Sequence, residues 1–398
     1  MKQGKQEISA YETALLSITA GICVANIYYN QPLLHNMAGS LHASDKAVGN
    51  IAVLAQAGYG LGLFFLTPLG DKTNRRRLIL LLQLMLVLAL LGMAFSNSLG
   101  VMMVMSLLVG LFSVAAQVIL PMAAYLSPHN KGKVVGTIFT GILAGILAAR
   151  VFSGFVADWL GWRYVYGIAA AMVLLSSLFL FRVLRDIPVL FEGSYLSLLR
   201  STLRQLERFS LLRRTALLGA LMFGVFCSFW TTLTFHLSGE PFRYDTDHIG
   251  LFGILAVVSA LLAPVFGKLA DKGSANRSRF LAVILVFIAV AVSYFYPDSL
   301  WAAVTAVLLL DLGVQAVQVT NVAVIYTLDE TAHSRINTVY MTSYFLGGAL
   351  GTYSGLACWQ MNGWKAVCLQ LFLLTVVAFV AVAERKSTAG SASLQAIE

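Results

Sequence analysis

Apolar residues in this chain come in continuous runs rather than in alternation. Twelve runs reach the roughly 20 mostly apolar residues that a bilayer crossing takes. They lie at 13–34, 47–69, 78–96, 99–126, 134–157, 164–184, 215–238, 249–270, 280–297, 300–327, 337–360 and 366–383. Continuous runs predict helices, because the strands of a membrane barrel would alternate over shorter stretches. The first run is not a removable signal peptide, since it is too long and carries Asn26, Tyr28, Tyr29 and Asn30. The longest polar interval is 185–214. Within it, Leu199, Leu203 and Leu206 share one helical face and Arg200, Arg204 and Arg208 another. Such a basic amphipathic helix suits an anionic lipid surface, and here it reads first as a tether between two halves. The pattern predicts an all-α membrane protein of 12 transmembrane helices. An N-terminal six-helix bundle occupies 1–184, a linker with the amphipathic helix 185–214, and a C-terminal bundle with a short tail 215–398.

Composition narrows the function classes. Of 398 residues, 59% are hydrophobic and 11% charged, less than half the ~25% usual in a soluble domain. Mean hydropathy is +0.80. A water-soluble enzyme, a nucleic-acid-binding domain and a disordered chain are all excluded. The net charge of +9 has a topological cause. With the N-terminus inside, only Lys46, Arg163, Arg243 and Lys365 face outward and Arg150 lies within the membrane, while the other lysines and arginines fall inside. Both termini are then cytoplasmic, and no nucleic acid is needed to explain the basic balance. Cys23, Cys227, Cys358 and Cys368 stand alone in apolar stretches, with no spacing that suggests a metal site or a disulfide framework. No cofactor is expected.

The two halves repeat at an offset of about 200 residues. Leu69-Gly70-Asp71-Lys72 recurs as Leu269-Ala270-Asp271-Lys272, Ser153-Gly154 as Ser354-Gly355, and Gly161-Trp162-Arg163 as Gly363-Trp364-Lys365. Six helices per half make this a parallel repeat, with a pseudo-two-fold axis along the membrane normal. At these residues the chain resembles the major facilitator superfamily over essentially its whole length. The loop after that family's second helix reads Gly-x-x-x-Asp-Arg-x-Gly-Arg-Arg, and Asp71-Lys72-Thr73-Asn74-Arg75-Arg76 matches its acidic and basic positions. Thr67 and Asn74 replace the glycines, and the second copy, Gly267 to Gly273, is closer. The resemblance implies a cytoplasmic gate made of Asp71, Arg75, Arg76, Asp271, Lys272 and Arg335. The small residues of the fifth run include Gly141-x-x-x-Gly145, which lets helices approach closely. They look like the motif on the fifth helix of proton-coupled drug antiporters, without its Gly-Pro pair. Asn26 to Pro32, together with Gly145 to Arg150, looks like one branch of bacterial efflux permeases. The arginine of the family's fourth helix has no counterpart, and that run carries Ser106 and Gln117 instead.

A charge at mid-bilayer costs at least ~2.5–3.5 kcal/mol, so each one is a functional candidate by default. Two clear cases exist, Arg150 in the fifth run and Asp311 in the tenth. Asp311 is the proton-carrier candidate, and Arg150 a counter-charge or an anion hook. A structural role for either, bonded to a carbonyl or hydroxyl, is the competing reading. Polar and aromatic side chains gather on the runs expected to line a substrate cavity. They are Asn26, Tyr29, Asn30, Gln31, Gln117, Phe226, Trp230, Thr231, Thr234, Gln315, Gln318, Asn321, Tyr340 and Tyr344. Asp311, Gln315 and Gln318 share one helical face. Aromatic walls with a few amides suit a medium-sized amphipathic solute.

The resemblance thus implies a secondary transporter of the bacterial inner membrane, working by alternating access as a monomer. Proton-driven efflux of a small organic or drug-like solute is the first reading. Symport or facilitated uptake in the same fold is the second, and a non-transporting membrane sensor a remote third. An intramembrane enzyme is the weakest, since no nucleophile–base pair or metal cluster is visible.

Overall fold

The computed structural model describes residues 8–127, 129–187, 193–269, 275–329 and 332–383. Its helices are α1 (Ala10–Ala25), α2 (Asn30–Leu41), α3 (Asp45–Phe65), α4 (Leu69–Lys72), α5 (Arg75–Phe95), α6 (Leu99–Phe112), α7 (Ala115–Leu126) and α8 (Lys131–Leu160). There follow α9 (Trp162–Val183), α10 (Tyr195–Arg208), α11 (Ser210–Ser238), α12 (Thr246–Leu269), α13 (Ala275–Phe295), α14 (Leu300–Ile325) and α15 (His333–Ala383). There is no strand among the described residues. Ten helical stretches among them are long and apolar enough to cross a membrane.

Local chemistry sets the ends. Ser9 starts α1 with a reciprocal cap: its Oγ accepts from the Glu12 amide, and Glu12 Oε2 accepts from the Ser9 amide. Ser44, Asn74 and Ser299 cap α3, α5 and α14 from one side only, each side chain accepting from a first-turn amide. The first run does not form one rod. It breaks over 26–29, where the Asn26 amide turns back onto the carbonyls of Ile22 and Cys23 at 2.8 and 3.2 Å. Pro32 then sits in the first turn of α2, where its missing amide costs nothing. The fourth run is likewise divided, at Ser113 and Val114. The 51-residue α15 carries non-helical backbone at Asn362 and Gly363, between the eleventh and twelfth predicted runs. At φ +55°, Gly363 occupies a region that suits glycine.

Two compact units result. Unit 1 comprises 1–203 with 234–254, and unit 2 comprises 204–233 with 255–398. Within unit 1, Gly141 and Gly145 of α8 lie directly against Ser17 and Gly21 of α1. Within unit 2, Gly347 and Gly351 of α15 lie against Ala220 and Gly224 of α11. A methyl group on any of the four α8 and α15 glycines would meet backbone atoms at well under 3.0 Å. These seams hold the helices far closer than side chains would allow. Ser106 Oγ donates to the Ile51 carbonyl at 2.6 Å, tying α6 to α3.

The amphipathic helix is present as α10, but its buried face is Leu198, Leu199, Thr202 and Gln205, with Leu203 half exposed. Tyr195 at its start donates from its hydroxyl to the Phe65 carbonyl at 2.5 Å, and burial raises its pKa, so it stays a donor. At its end Arg208 pairs with Asp329 at 2.5 Å.

Candidate functional site

Each unit carries one buried polar set. In unit 1 the set is built on the break between α1 and α2. Arg150 of α8 is 2% exposed. Its Nε donates to Gln31 Oε1 at 2.7 Å, and its guanidinium carbon lies 5.5 Å from the ring centre of Tyr28. The amide oxygen and the π-face each stabilise the guanidinium cation. The Gln31 carbonyl accepts from Thr234 Oγ1 at 3.0 Å, and Asn36 Nδ2 donates to Thr246 Oγ1 at 2.6 Å. Residues 246–254 approach α8 through glycines. A Cβ on Gly250 would stand 2.9 Å from the Arg150 carbonyl oxygen, and one on Gly253 3.0 Å from the Arg150 Cβ.

Three buried amides in this set each use one half of the group and leave the other half unbonded. Asn26 and Asn30 donate to backbone carbonyls, yet their Oδ1 atoms have no hydrogen-bond partner among the described residues. Gln31 accepts from Arg150, and its Nε2 likewise has none. Leaving such an atom unsatisfied in the core costs about 1–3 kcal/mol. The Tyr29 ring rests 5.5 Å from that of Phe152. Elsewhere in the unit, Gln117 Nε2 donates to the Tyr59 hydroxyl at 3.2 Å.

In unit 2 the set begins at Asp311 of α14, also 2% exposed. Its Oδ1 accepts from the indole Nε1 of Trp230 at 2.9 Å. From Trp230 a run of rings leads through Phe226 (6.3 Å) to Phe223 (5.5 Å) and Tyr344 (4.0 Å, stacked). Tyr340 follows at 6.1 Å. Its hydroxyl donates to Gln318 Oε1 at 2.5 Å and accepts from Asn321 Nδ2 at 3.3 Å. Asn321 also donates to the Thr215 carbonyl. On α14, Asp311 contacts Trp230 of α11 and Gln318 contacts Tyr340 of α15, with half-buried Gln315 between them in sequence. Thr231 is fully buried beside Trp230 in sequence, and its Oγ1 has no partner among the described residues.

The residues expected to form a gate divide. Asp71 pairs with Arg75 at 2.7 Å, and Arg75 Nε also donates to the Gly70 carbonyl at 2.9 Å. Arg76 donates to the Phe181 carbonyl at 2.7 Å and approaches Asp186 at 3.8 Å. Arg335 is half-buried near the start of α15. Asp271 and Lys272 lie outside the described residues.

Sequence reasoning passed over Phe223, which joins three other rings, and chose Tyr29 where Tyr28 faces the arginine. It also missed Gly250, Gly253 and Thr246. An aromatic or a glycine inside an apolar run carries no periodic signal of its own, so only the fold reveals these partners.

Known proteins resemble this chain along most of its length. The uncharacterized transporter YgaY of Escherichia coli O157:H7 is 41% identical over 370 residues, covering 93% of this chain and 94% of that protein. The purine ribonucleoside efflux pump NepI of Escherichia coli O127:H6 is 24% identical over 287 residues, 69% of each. Among solved structures, a variant of the nucleoside transporter NupG superposes with a TM-score of 0.70 at 16% identity, covering 94% of this chain and 98% of that one. The Major Facilitator Superfamily profile matches residues 16–352. With a match of that extent and a fold to fit it, the chain belongs to the major facilitator superfamily of membrane transporters.

Proposed function

We propose that this transporter expels a small organic solute in exchange for protons, by alternating access. The observation that carries the reading is Asp311, a buried carboxylate within a spanning helix that accepts from Trp230 at the head of a run of rings. A charge at that depth costs at least ~2.5–3.5 kcal/mol, so such a carboxylate is kept for a purpose. Carrying a proton is a purpose that a carboxylate can serve and its amide cannot. In this scheme Asp311 takes up a proton from outside as solute leaves, and loses it to the inside.

The solute class that fits best is a flat heteroaromatic with hydrogen-bonding edges, such as a nucleoside. The rings of Phe223, Phe226, Trp230 and Tyr344 offer apolar faces, and Gln318 and Asn321 offer amides. The name of the related pump NepI, a purine ribonucleoside efflux pump, supports the same choice. In this reading the chain crosses the bacterial inner membrane twelve times, with both ends in the cytoplasm. It works as a monomer and draws on the proton gradient rather than on a bound cofactor.

The test uses purified protein in liposomes that hold a pH-sensitive dye. A proton gradient is imposed, and purine nucleosides, drugs, sugars and organic anions are added one at a time. Antiport predicts proton movement opposite to the solute. Movement in the same direction would instead establish symport. Asp311→Asn should abolish gradient-driven flux and leave solute exchange measurable. Undiminished gradient-driven flux in that variant would remove Asp311 from the mechanism.

A further inference from the structure

The break between α1 and α2 gathers three buried amide side chains on one short segment, at Asn26, Asn30 and Gln31. Which atom each leaves unbonded is dictated by its neighbours. Asn26 stands against the carbonyls of Ile22 and Cys23, and Asn30 against that of Ile27, so each must turn its amide nitrogen toward them. Gln31 stands against the Arg150 Nε, which can only donate, so its oxygen is the atom engaged. Two acceptors, Asn26 Oδ1 and Asn30 Oδ1, and one donor, Gln31 Nε2, are left without a hydrogen-bond partner among the described residues. Such atoms are few in a native core, and three on one segment mark a place built for a partner.

The surroundings select the kind of partner. The Arg150 guanidinium, 2.7 Å from Gln31 Oε1, repels a metal ion or an ammonium group, so the two acceptors call for neutral donors. A carboxylate would suit the Gln31 donor but would face two acceptor oxygens. Hydroxyls both donate and accept, and so answer all three atoms. Between Asn26 and Asn30 the chain is tightened by bonds from the Ile27 amide to the Val24 carbonyl at 3.2 Å and from the Tyr28 amide to the Ala25 carbonyl at 2.9 Å. Four residues of α or 3₁₀ backbone rise about 6–8 Å. That is farther than one water molecule bridges, and it suits hydroxyls spread over a sugar ring.

We infer that Asn26, Asn30 and Gln31 bind the sugar hydroxyls of the exported solute. The two asparagine oxygens accept from separate hydroxyls, and Gln31 Nε2 donates to one of them. This rests on the nucleoside reading given above and assigns the part of a nucleoside that its free base lacks. Thr234 and Thr246 cover the segment, through bonds to the Gln31 carbonyl at 3.0 Å and from Asn36 at 2.6 Å, so the sugar enters when those bonds part.

The test is titration calorimetry of the full chain in detergent with inosine, its dideoxy analogue lacking both ring hydroxyls, and hypoxanthine. No proton gradient is present, so the outcome does not depend on coupling. The wild-type chain should bind inosine about tenfold more tightly than the dideoxy analogue, which leaves buried groups unpaired. Asn30→Leu, close in size, should weaken inosine about tenfold and leave hypoxanthine unchanged. Equal wild-type affinity for inosine and its dideoxy analogue would overturn the sugar assignment while the nucleoside reading stood, and that comparison decides even if the variant fails to fold. An undiminished inosine affinity in Asn30→Leu, or equal losses for inosine and hypoxanthine, would overturn the amide site. Failure of all three compounds to bind the wild-type chain would overturn the sugar site and the nucleoside reading together.

Discussion

Gly145→Ala is the sharpest test of how unit 1 is held together. The added methyl would stand 2.6 Å from the Gly21 carbonyl carbon and 2.7 Å from its Cα. The nearest atom is the Gly21 carbonyl oxygen at 2.3 Å, and ordinary contact begins at 3.4 Å, so α1 and α8 must part by about 1.1 Å along that line, and backbone cannot rotate away as a side chain can. Overpacking of this kind costs about 1–3 kcal/mol. Alanine returns up to about 1 kcal/mol of helix propensity. The balance is a loss of up to about 2 kcal/mol, or up to roughly 8 °C in melting midpoint for a unit of this size. Gly136→Ala is the matched control. It lies on the same helix, exposed, with nothing within 4 Å of its added methyl. Only the propensity gain applies there, so its midpoint should rise by about 2–4 °C. Both variants would be measured by scanning fluorimetry in one detergent. Equal midpoints for the two variants, or a rise for Gly145→Ala, would refute the close-seam reasoning.

Two further outcomes follow from the polar sets. Trp230→Phe keeps a ring beside Phe226 but removes the donor to Asp311. A hydrogen bond to a charged group is worth about 1.5–3 kcal/mol, so gradient-driven flux should fall at least tenfold, and the melting midpoint should fall with it by roughly 3–12 °C. Gln31→Leu removes the Arg150 acceptor at 2.7 Å. Stability should fall by about 1–3 kcal/mol, and Gln31→Glu, which restores an acceptor, should recover most of it in the same melting assay.

The helical architecture was legible because lipid imposes long apolar runs, and their limits follow from where charge resumes. The Gly141 and Gly145 spacing was legible for the same reason, since small residues four apart admit a neighbouring backbone. The α14 face was read from period alone, and both Asp311 and Gln318 do meet neighbouring helices. What was not legible depends on competition within apolar stretches. Nothing in the spacing shows that Asn26 will turn onto Ile22 and Cys23 and split the first run. Tyr28 and Tyr29 are adjacent and chemically alike, so the choice between them is made by the rotation of a broken helix. Nor does the pattern show that Thr202 and Gln205 lie on the buried face of α10, because polar residues there are invisible to a hydrophobic pattern.

The paired seams also bear on ancestry. Ser17 and Gly21 precede Ala220 and Gly224 by 203 residues, and Gly141 and Gly145 precede Gly347 and Gly351 by 206. At the same displacements Asn26, Asn30 and Gln31 fall on Phe229, Leu233 and Thr234, and Arg150 falls on Leu356. If one gene for six helices was doubled, its descendants kept the places where backbone touches backbone and discarded the polar chemistry. The likeness between the halves then lives in their spacing, while each half evolved its own vocabulary for the solute. Mutations that cross the seams would be purged from both halves alike, whereas those in the polar sets could drift independently, which is how one scaffold can be retuned to new cargo.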